Sequence, residues 1–268
     1  MEWKSEFFQV DSFTSEVFKG NPAGVCITDT SLDEATMLAI AAEMAVSETA
    51  FLSLDTMQLR WFTPEIEVSL CGHGTLAVAH VLKEQGMYKT GEILEFQTLS
   101  GTLTAHLDEN NIHLLFPSPN LDMNVSPNID ILNFLGLSQS SLIAYGEFDH
   151  KQLVVIKSES TLNELVPDFS GLSKLKGRGV LVTAKSDSGV DFVSRYFAPW
   201  VGVNEDPVTG SAHCALCAYW SKELNKLKLK GYQASNRGGF VDVERVSENQ
   251  VKLSGQAITV FQGRMKIA

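Results

Sequence analysis

Residues 60–79 read RWFTPEIEVSLCGHGTLAVA, and residues 195–215, RYFAPWVGVNEDPVTGSAHCA, repeat their organisation. Each stretch begins with Arg, an aromatic residue, Phe, a small residue and Pro, and then runs through a short loop to a glycine-containing turn. An apolar run with helical spacing follows each turn. A five-residue match can arise by chance, but chance rarely supplies the same order of strand, turn and helix as well. The repeat therefore predicts two similar halves.

The segments around the repeat are mostly strands, because short β-branched and aromatic runs alternate with Gly, Pro and Asn. Helices are predicted from an N-cap at Ser31 to about Ala45, at 75–84, near 129–135 and at 211–223. The helix at 75–84 is apolar on most sides, which is typical of a buried helix. An α+β fold with strands wrapped around one helix in each half follows. Strands are predicted at 7–13, 23–27, 49–54, 57–62, 93–97, 101–107, 111–116, 141–148, 152–156, 180–183, 191–197, 229–234, 240–246, 251–255 and 257–266.

A proline-containing segment at 117–120 indicates the boundary between the halves. The first half is predicted at 1–117 and the second at 118–255. The C-terminal strand, 256–268, is a candidate to pair with strands of the first half.

Composition excludes several classes of protein. The chain has 268 residues, 44% hydrophobic and 20% charged, which excludes disordered and fibrous classes. A net charge of −11 argues against a nucleic-acid surface and requires locally placed donors for an anionic substrate. No apolar stretch is long enough to span a membrane, and the charged N-terminus lacks the apolar core of a secretory signal. We therefore expect a cytoplasmic protein without membrane or nucleic-acid partners.

The four cysteines, Cys26, Cys71, Cys214 and Cys217, are expected to be reduced thiols in the cytoplasm. The C-x-x-C pair at 214 and 217 lies on one helix face among apolar residues, which favours buried core residues over a redox pair. A zinc site would need a second pair of ligands nearby, and no such spacing occurs. No metal is predicted.

The glycine-containing turns before the two buried helices predict an anion site. The first amides of a helix are unpaired donors that carry a partial positive charge. Two such termini facing one cleft would bind a carboxylate or stabilise a developing enolate. The alternative is that each glycine only permits a tight turn between strand and helix.

Five ordered motifs occur along the chain: VDSF at 10–13, GNPAGV at 20–25, SETAF at 47–51, CGHGTLA at 71–77 and EDPVTGSAH at 205–213. Together they resemble the phenazine-biosynthesis isomerase family (PhzF-like), which has the diaminopimelate epimerase fold. The resemblance covers essentially the whole chain and implies two pseudo-symmetric halves, each a strand barrel around a central helix, with the active site in the cleft between them. Dimerisation is common in that family, so a homodimer is a further expectation.

The resemblance also implies the site residues. Related epimerases use two cysteines as paired bases, but here Thr209 occupies the second position opposite Cys71, which disfavours two-thiol racemisation. The implied catalytic residues are Glu48, as general acid/base, with His73, Asp206 and Ser211; the implied substrate-binding residues are Asn21, Gly72, Gly74 and Gly210.

Local chemistry supports Glu48 and His73 in these roles. Glu48 lies between Val46 and Phe51, so partial desolvation should raise its pKa towards neutrality, as a single proton-shuttling base requires. His73 begins a helix, whose dipole should lower its pKa and favour the neutral imidazole. The alternatives are structural: an idle glutamate at a strand start, and a histidine that caps the helix.

Asp206 and Ser211 carry structural alternatives too. Asp206 precedes Pro207 and orders the turn in one interpretation, or orients His73 or the substrate in the other. Ser211 is a candidate N-cap of its helix as well as a site residue.

The predicted function is a cofactor-independent isomerase that moves a proton on a small anionic, carboxylate-bearing metabolite. The outcome is either an allylic shift or a stereochemical inversion. One alternative is a Cys71-dependent amino-acid epimerase or racemase. A second alternative is a non-catalytic ligand-binding protein that retains the fold.

Overall fold

The computed structural model describes residues 6–266. The chain divides into two compact units, which are Met1–Phe116 with Leu253–Ala268 (the first unit) and Pro117–Lys252 (the second unit). Residues 1–5, on which the expectation about a secretory signal depended, and residues 267–268 of the predicted last strand lie outside the described residues.

The first unit is built mainly from strands and contains two helices, and its last strand comes after the second unit in the chain. In chain order its elements are β1 (Glu6–Ser12), β2 (Asn21–Thr28), α1 (Glu34–Met44), β3 (Glu48–Ser53), β4 (Gln58–Phe62), β5 (Glu67–Val68), α2 (Gly72–Glu84), β6 (Ile93–Thr98), β7 (Gly101–Leu107) and β8 (Ile112–Pro117).

The second unit repeats this mixture, and its last strand, β16, contains the boundary between the units. In chain order the elements are α3 (Ile129–Leu135), β9 (Leu142–Phe148), β10 (Lys151–Ile156), α4 (Glu159–Asn163), α5 (Phe169–Ser173), β11 (Val180–Lys185), β12 (Phe192–Ala198), β13 (Val203–Asp206), α6 (Gly210–Glu223), β14 (Lys228–Gln233), β15 (Gly239–Arg245) and β16 (Gln250–Gly255). The final strand, β17 (Ala257–Arg264), pairs with β1 of the first unit.

The two units share one pattern of strand pairing. In the first unit, β1, β2, β3, β4, β6 and β7 are neighbours in that order, and the β2–β3 and β4–β6 pairs are parallel. In the second unit, β9, β10, β11, β12, β14 and β15 are neighbours in that order, and the β10–β11 and β12–β14 pairs are parallel. The predicted α+β fold of two similar halves is confirmed.

One buried helix lies at the centre of each pattern. The helix α2 contacts β1, β2, β3, β7 and β17, and its residues 74–79, 81 and 82 are buried. The helix α6 contacts β14 and β15, and its residues 212–217 are buried. Because each helix is apolar on most sides, strands must cover most of its surface.

The sequence repeat has a structural reason. On β4, the guanidinium of Arg60 forms a two-pronged ion pair with Glu67 of β5, with N–O distances of 2.7 Å, and lies 5.1 Å from the Phe62 ring centroid. The same arrangement recurs in the second unit. The Arg195 guanidinium on β12 pairs with the Glu205 carboxylate on β13, with N–O distances of 2.7 and 2.9 Å, and lies 4.9 Å from the Phe197 ring centroid. A planar guanidinium suits both contacts, so Arg and Phe recur together.

Several predicted boundaries shift. The N-cap of α1 is Asp33 rather than Ser31, because the Asp33 carboxylate accepts hydrogen bonds from the amide and hydroxyl of Thr36 at 2.9 and 2.7 Å. The short strands β5 and β13 were not predicted, because each is too brief to show an alternating pattern.

In the described part of the chain, no helix combines the length and apolarity that crossing a membrane requires.

Candidate active site

Glu48 lies at the start of β3, where the chain leaves α1 and enters the sheet. Its backbone pairs in parallel with Ala23 of β2, and 23% of its side chain is exposed. Its Oε2 lies 3.3 Å from Nε2 of His73. The carboxylate is therefore partly accessible and directly paired with a histidine, which differs from the alternative of an idle, solvated glutamate.

His73 is the second residue of α2, and its ring is almost completely buried. Its Nε2 faces Glu48 and lies 3.3 Å from Oγ of Ser47, and its Nδ1 lies 3.4 Å from Nδ2 of Asn21 and 3.5 Å from Sγ of Cys71. The first residues of α2, β2 and β3 therefore lie around one imidazole ring. Ser47 was not predicted as a site residue, although it directly precedes Glu48.

Burial and charge pairing reverse both pKa expectations. Burial alone would raise the pKa of Glu48, but its charge interaction and hydrogen bond with His73 hold the pKa below its ordinary value of 4.5. Burial alone would lower the pKa of His73, but its contacts with Cys71 and Glu48 raise the pKa well above 6.5. Both directions are therefore opposite to the expected raised carboxyl pKa and lowered imidazole pKa, and together they favour a carboxylate paired with an imidazolium.

The turn before α2 is shaped by Cys71 and Gly74. Cys71 is the N-cap, and its Sγ accepts a hydrogen bond from the Gly74 amide at 3.3 Å. The helix cap is therefore a thiol rather than the His73 side chain. A Cβ at Gly74 would lie 2.9 Å from Cδ1 of Trp61 and 3.0 Å from the Cys71 sulfur, so glycine is required there for packing. Gly72, the first residue of α2, precedes His73 directly.

Burial keeps the Cys71 thiol protonated. Burial and the nearby Glu48 carboxylate raise the pKa of the Cys71 thiol, and the facing His73 only partly opposes them. A neutral thiol is a poor base, which disfavours the epimerase alternative. Cys214 and Cys217 are buried, and burial raises the pKa of each, which agrees with a core role for that pair.

The remaining predicted residues surround the start of α6 in the second unit. The Thr209 hydroxyl donates a hydrogen bond to the Asp206 carboxylate, and the Thr209 amide donates to Oε1 of Gln233 at 2.9 Å. Asp206 therefore orders the turn, as one interpretation expected. Gly210 begins α6, and Thr209 is its N-cap residue, so the interpretation of Ser211 as the N-cap is wrong.

Ser211 lies on the exposed side of the first turn of α6, and its Oγ accepts a hydrogen bond from Nζ of Lys151 at 3.1 Å. Lys151 and Gln233 were not predicted as site residues. A lysine or glutamine in a strand carries no local signal, and only the comparison of the two halves could have found them.

A mixed set of ligand atoms occurs at His73. The donor atoms of Glu48, Cys71 and His73 lie within 4.8 Å of one another, and this is the one such group of three found among residues 6–266. Sulfur, nitrogen and carboxylate oxygen suit a borderline-soft cation such as Zn²⁺. The sequence did not predict this set, because its three members come from two separate motifs.

The charge pairing gives a direct spectroscopic prediction. Replacing Glu48 by Gln is expected to lower the pKa of His73, because the variant removes the carboxylate that favours the imidazolium. NMR titration of the histidine ring protons measures the change. His213, whose pKa burial lowers to about 4, is the internal control and should titrate as before. An unchanged His73 titration would contradict the pairing.

Comparisons with known proteins give a consistent result. The family model for "Phenazine biosynthesis-like protein" matches residues 10–263. The chain is 47% identical over 262 residues to a protein of Halalkalibacterium halodurans described as an uncharacterized isomerase, covering 96% of this chain and 97% of that protein. A PhzF-family phenazine biosynthesis protein from Enterococcus faecalis is 42% identical with a TM-score of 0.91, over 98% of this chain and 100% of that one. A hydroxyproline epimerase from Agrobacterium vitis, 12% identical with a TM-score of 0.60 over 98% and 91% of the chains, shares the fold.

Proposed function

Because the chain belongs to the family described as phenazine biosynthesis-like proteins, as its sequence motifs predicted, we propose that it is an isomerase in which Glu48 transfers a proton on a small carboxylate-bearing metabolite. The observation that carries this proposal is the contact of 3.3 Å between the Glu48 carboxylate and the His73 imidazole. A lowered carboxyl pKa and a raised imidazole pKa supply a base and an acid side by side.

The proposed reaction needs no redox step. The Glu48 carboxylate removes a proton from an activated carbon, and the electron pair is delocalised into a neighbouring carbonyl or conjugated alkene of the substrate. The protonated Glu48 then returns the proton to another carbon, which gives an allylic shift. Inversion would need a proton donor on the opposite face of the same carbon, a position that His73, 3.3 Å from the Glu48 carboxylate, does not occupy. No cofactor is required for this chemistry.

Charge stabilisation is assigned to donors at the start of α2. The imidazolium of His73 and the first amides of α2 are positive, so they lower the energy of a developing enolate. Asn21 is buried at the start of β2 and is proposed to hold the substrate. A role for Asp206, Ser211 and Gly210 in holding the same substrate stays a prediction, as do the cytoplasmic location and the homodimer.

The Cys71-dependent epimerase keeps one supporting observation, which is the distance of 3.5 Å between the Cys71 sulfur and Nδ1 of His73. A Cys71→Ala variant distinguishes the two mechanisms. If a Cys71→Ala variant and its wild-type parent turn over equally, the thiol is not a base. Loss of turnover in Cys71→Ala with an unchanged thermal unfolding midpoint would favour the epimerase.

Solvent exchange tests the proposed function. Carboxylated metabolites that raise the thermal unfolding midpoint are incubated with the wild-type protein in deuterated buffer. Incorporation of deuterium at carbon, followed by NMR or mass spectrometry, is the expected result. Ligands that stabilise the protein without any exchange would instead indicate the non-catalytic binding protein.

A further inference from the structure

Three different ligand atoms lie together at the start of α2, and all of them belong to the first unit. They are the sulfur of Cys71, a ring nitrogen of His73 and a carboxylate oxygen of Glu48, within 4.8 Å of one another. As whole residues, Cys71 and His73 are 5% and 6% exposed, whereas 23% of the Glu48 side chain is exposed. A buried sulfur and a buried nitrogen therefore lie beside a carboxylate that an ion in the solvent can reach.

The distances between these atoms are close to those around a tetrahedral Zn²⁺ ion. Nε2 of His73 lies 3.3 Å from Oε2 of Glu48 and 3.9 Å from Sγ of Cys71. Typical Zn–N, Zn–O and Zn–S bonds at a tetrahedral angle place nitrogen and oxygen about 3.4 Å apart, and nitrogen and sulfur about 3.6 Å apart. The carboxylate already has this separation, and the sulfur has to approach by about 0.3 Å, which a small side-chain rotation supplies.

The chemistry of the donors selects the ion. Imidazole nitrogen and thiolate sulfur suit Zn²⁺, whereas Mg²⁺ and Ca²⁺ take oxygen ligands. The Cys71 sulfur accepts a hydrogen bond from the Gly74 amide at 3.3 Å, at the positive end of α2, and both effects favour a thiolate. Burial raises the pKa of the free Cys71 thiol, but a thiol that coordinates a metal loses its proton outright.

Three protein ligands leave the fourth position of the ion open. In Zn²⁺ sites of this kind a water molecule usually takes that position. The Ser47 hydroxyl lies 3.3 Å from Nε2 of His73, so it is near enough to hydrogen-bond such a water. The Asn21 side-chain amide lies 3.4 Å from Nδ1, and its oxygen, turned towards this nitrogen, accepts the Nδ1 proton and leaves Nε2 for the ion.

The second unit shows that the fold does not need a thiol and an imidazole at a helix start. Cys71 is the N-cap of α2 and His73 is its second residue, whereas Thr209 and Ser211 hold the same two positions on α6. The described residues of the second unit contain no comparable group of three ligands. The donor set is therefore a property of the first unit and not a requirement of the repeated architecture.

We propose that Glu48, Cys71 and His73 bind one Zn²⁺ ion, and that the bound ion reversibly stops proton transfer by Glu48. Binding follows from the donor set, whereas the inhibition rests on the proposed function. The thiol and the imidazolium each release one proton to the solvent, and the freed sulfur and nitrogen lone pairs form the bonds to the ion. A carboxylate bound to Zn²⁺ no longer offers its lone pair to a substrate proton.

Isothermal titration of the untagged full chain, first freed of metals with a chelator, tests the site. We expect one Zn²⁺ per chain and no binding of Mg²⁺ at the same concentration. Cys71→Ala should weaken Zn²⁺ binding by about 100-fold or more, since even the outer partners of a ligand contribute about 10–100-fold. Cys26→Ala, which removes a fully buried thiol of β2 outside the set, is the matched control and should bind Zn²⁺ like the wild type.

The absorption spectrum of bound Co²⁺ identifies the ligands directly. In the wild-type chain we expect the visible bands of tetrahedral coordination and a charge-transfer band from thiolate to cobalt in the near ultraviolet. The charge-transfer band should be absent from Cys71→Ala and present in Cys26→Ala. Thermal unfolding of both variants without metal verifies that each is folded.

Three results would overturn the site. They are the absence of Zn²⁺ binding to the wild-type chain, equal Zn²⁺ affinity of the wild type and Cys71→Ala, and a wild-type Co²⁺ spectrum without the thiolate band. The third result decides the matter even if Cys71→Ala fails to fold, because it needs no variant.

The deuterium-exchange assay separates this inference from the proposed function. Zn²⁺ should abolish deuterium incorporation by the wild-type chain, and an excess of chelator should restore it. Cys71-dependent Zn²⁺ binding by a protein that never exchanges deuterium would keep the site and reject the isomerase. Exchange by a protein that binds no Zn²⁺ would reject the site and keep the isomerase, and undiminished exchange with Zn²⁺ bound would reject the inhibition.

Discussion

Replacing Glu48 by Gln is expected to reduce deuterium incorporation into the substrate by about 10²–10⁴-fold, the usual contribution of a positioned general acid or base. Gln keeps the size of the side chain and its hydrogen bonding but cannot accept the proton. The wild-type carboxylate is ionised, because its pairing with His73 outweighs its burial. The measurement is the initial rate of deuterium incorporation at saturating substrate.

The matched control is Glu95→Gln, which removes an exposed carboxylate of β6 in the same unit. It should exchange deuterium at the wild-type rate. Both variants should unfold at the wild-type temperature within a few degrees, which excludes loss of fold as the cause. An undiminished exchange rate in Glu48→Gln would reject Glu48 as the proton-transferring group.

Replacing Phe192 by Ala is expected to destabilise the protein by about 3–5 kcal/mol, the range for deleting a fully buried aromatic ring. Phe192 is 0% exposed on β12. Its ring stacks on Trp220 at 6.2 Å and lies 6.1 Å from the His213 ring, so it joins β12 to α6. A Cβ at Gly231 of β14 would clash with the same ring, so glycine at this position of the neighbouring strand leaves the space that the Phe192 ring fills.

The control is Phe240→Ala on β15, where half of the side chain is exposed. This change removes less buried area and should cost clearly less free energy of unfolding. Urea unfolding followed by circular dichroism compares the two variants with the wild type. Equal destabilisation by both changes would show that Phe192 does not organise the core around α6.

The repeated stretches were sufficient to predict two similar halves. Arg60 and Arg195, each with a Phe two residues later, indicate the same local structure twice, and the structure shows both guanidiniums pairing with a glutamate on the next strand. The burial of α2 and α6 was predictable as well, since a helix without a polar face has no side to expose. The sequence repeat therefore predicts the two halves, and helical periodicity predicts the buried helices.

The protonation state of the site was not predictable. Local sequence indicated a raised pKa for Glu48 and a lowered pKa for His73, and burial does act in these directions on the two groups. Neither effect decides the pKa, because the two side chains meet at 3.3 Å and each stabilises the charge of the other. The partners lie 25 residues apart on different elements, so no local pattern reveals the contact.

The sequence by itself determined the two halves, their buried helices and the positions of the glycine-containing turns, because hydrophobic periodicity and turn chemistry act within a few residues. The tertiary structure decided which side chains meet at those turns. Asn21, Glu48 and His73 come together only through the pairing of β2 with β3 around α2, and Lys151 reaches Ser211 only because β10 begins beside α6. Contacts between distant segments depend on strand register and packing, which local patterns do not encode.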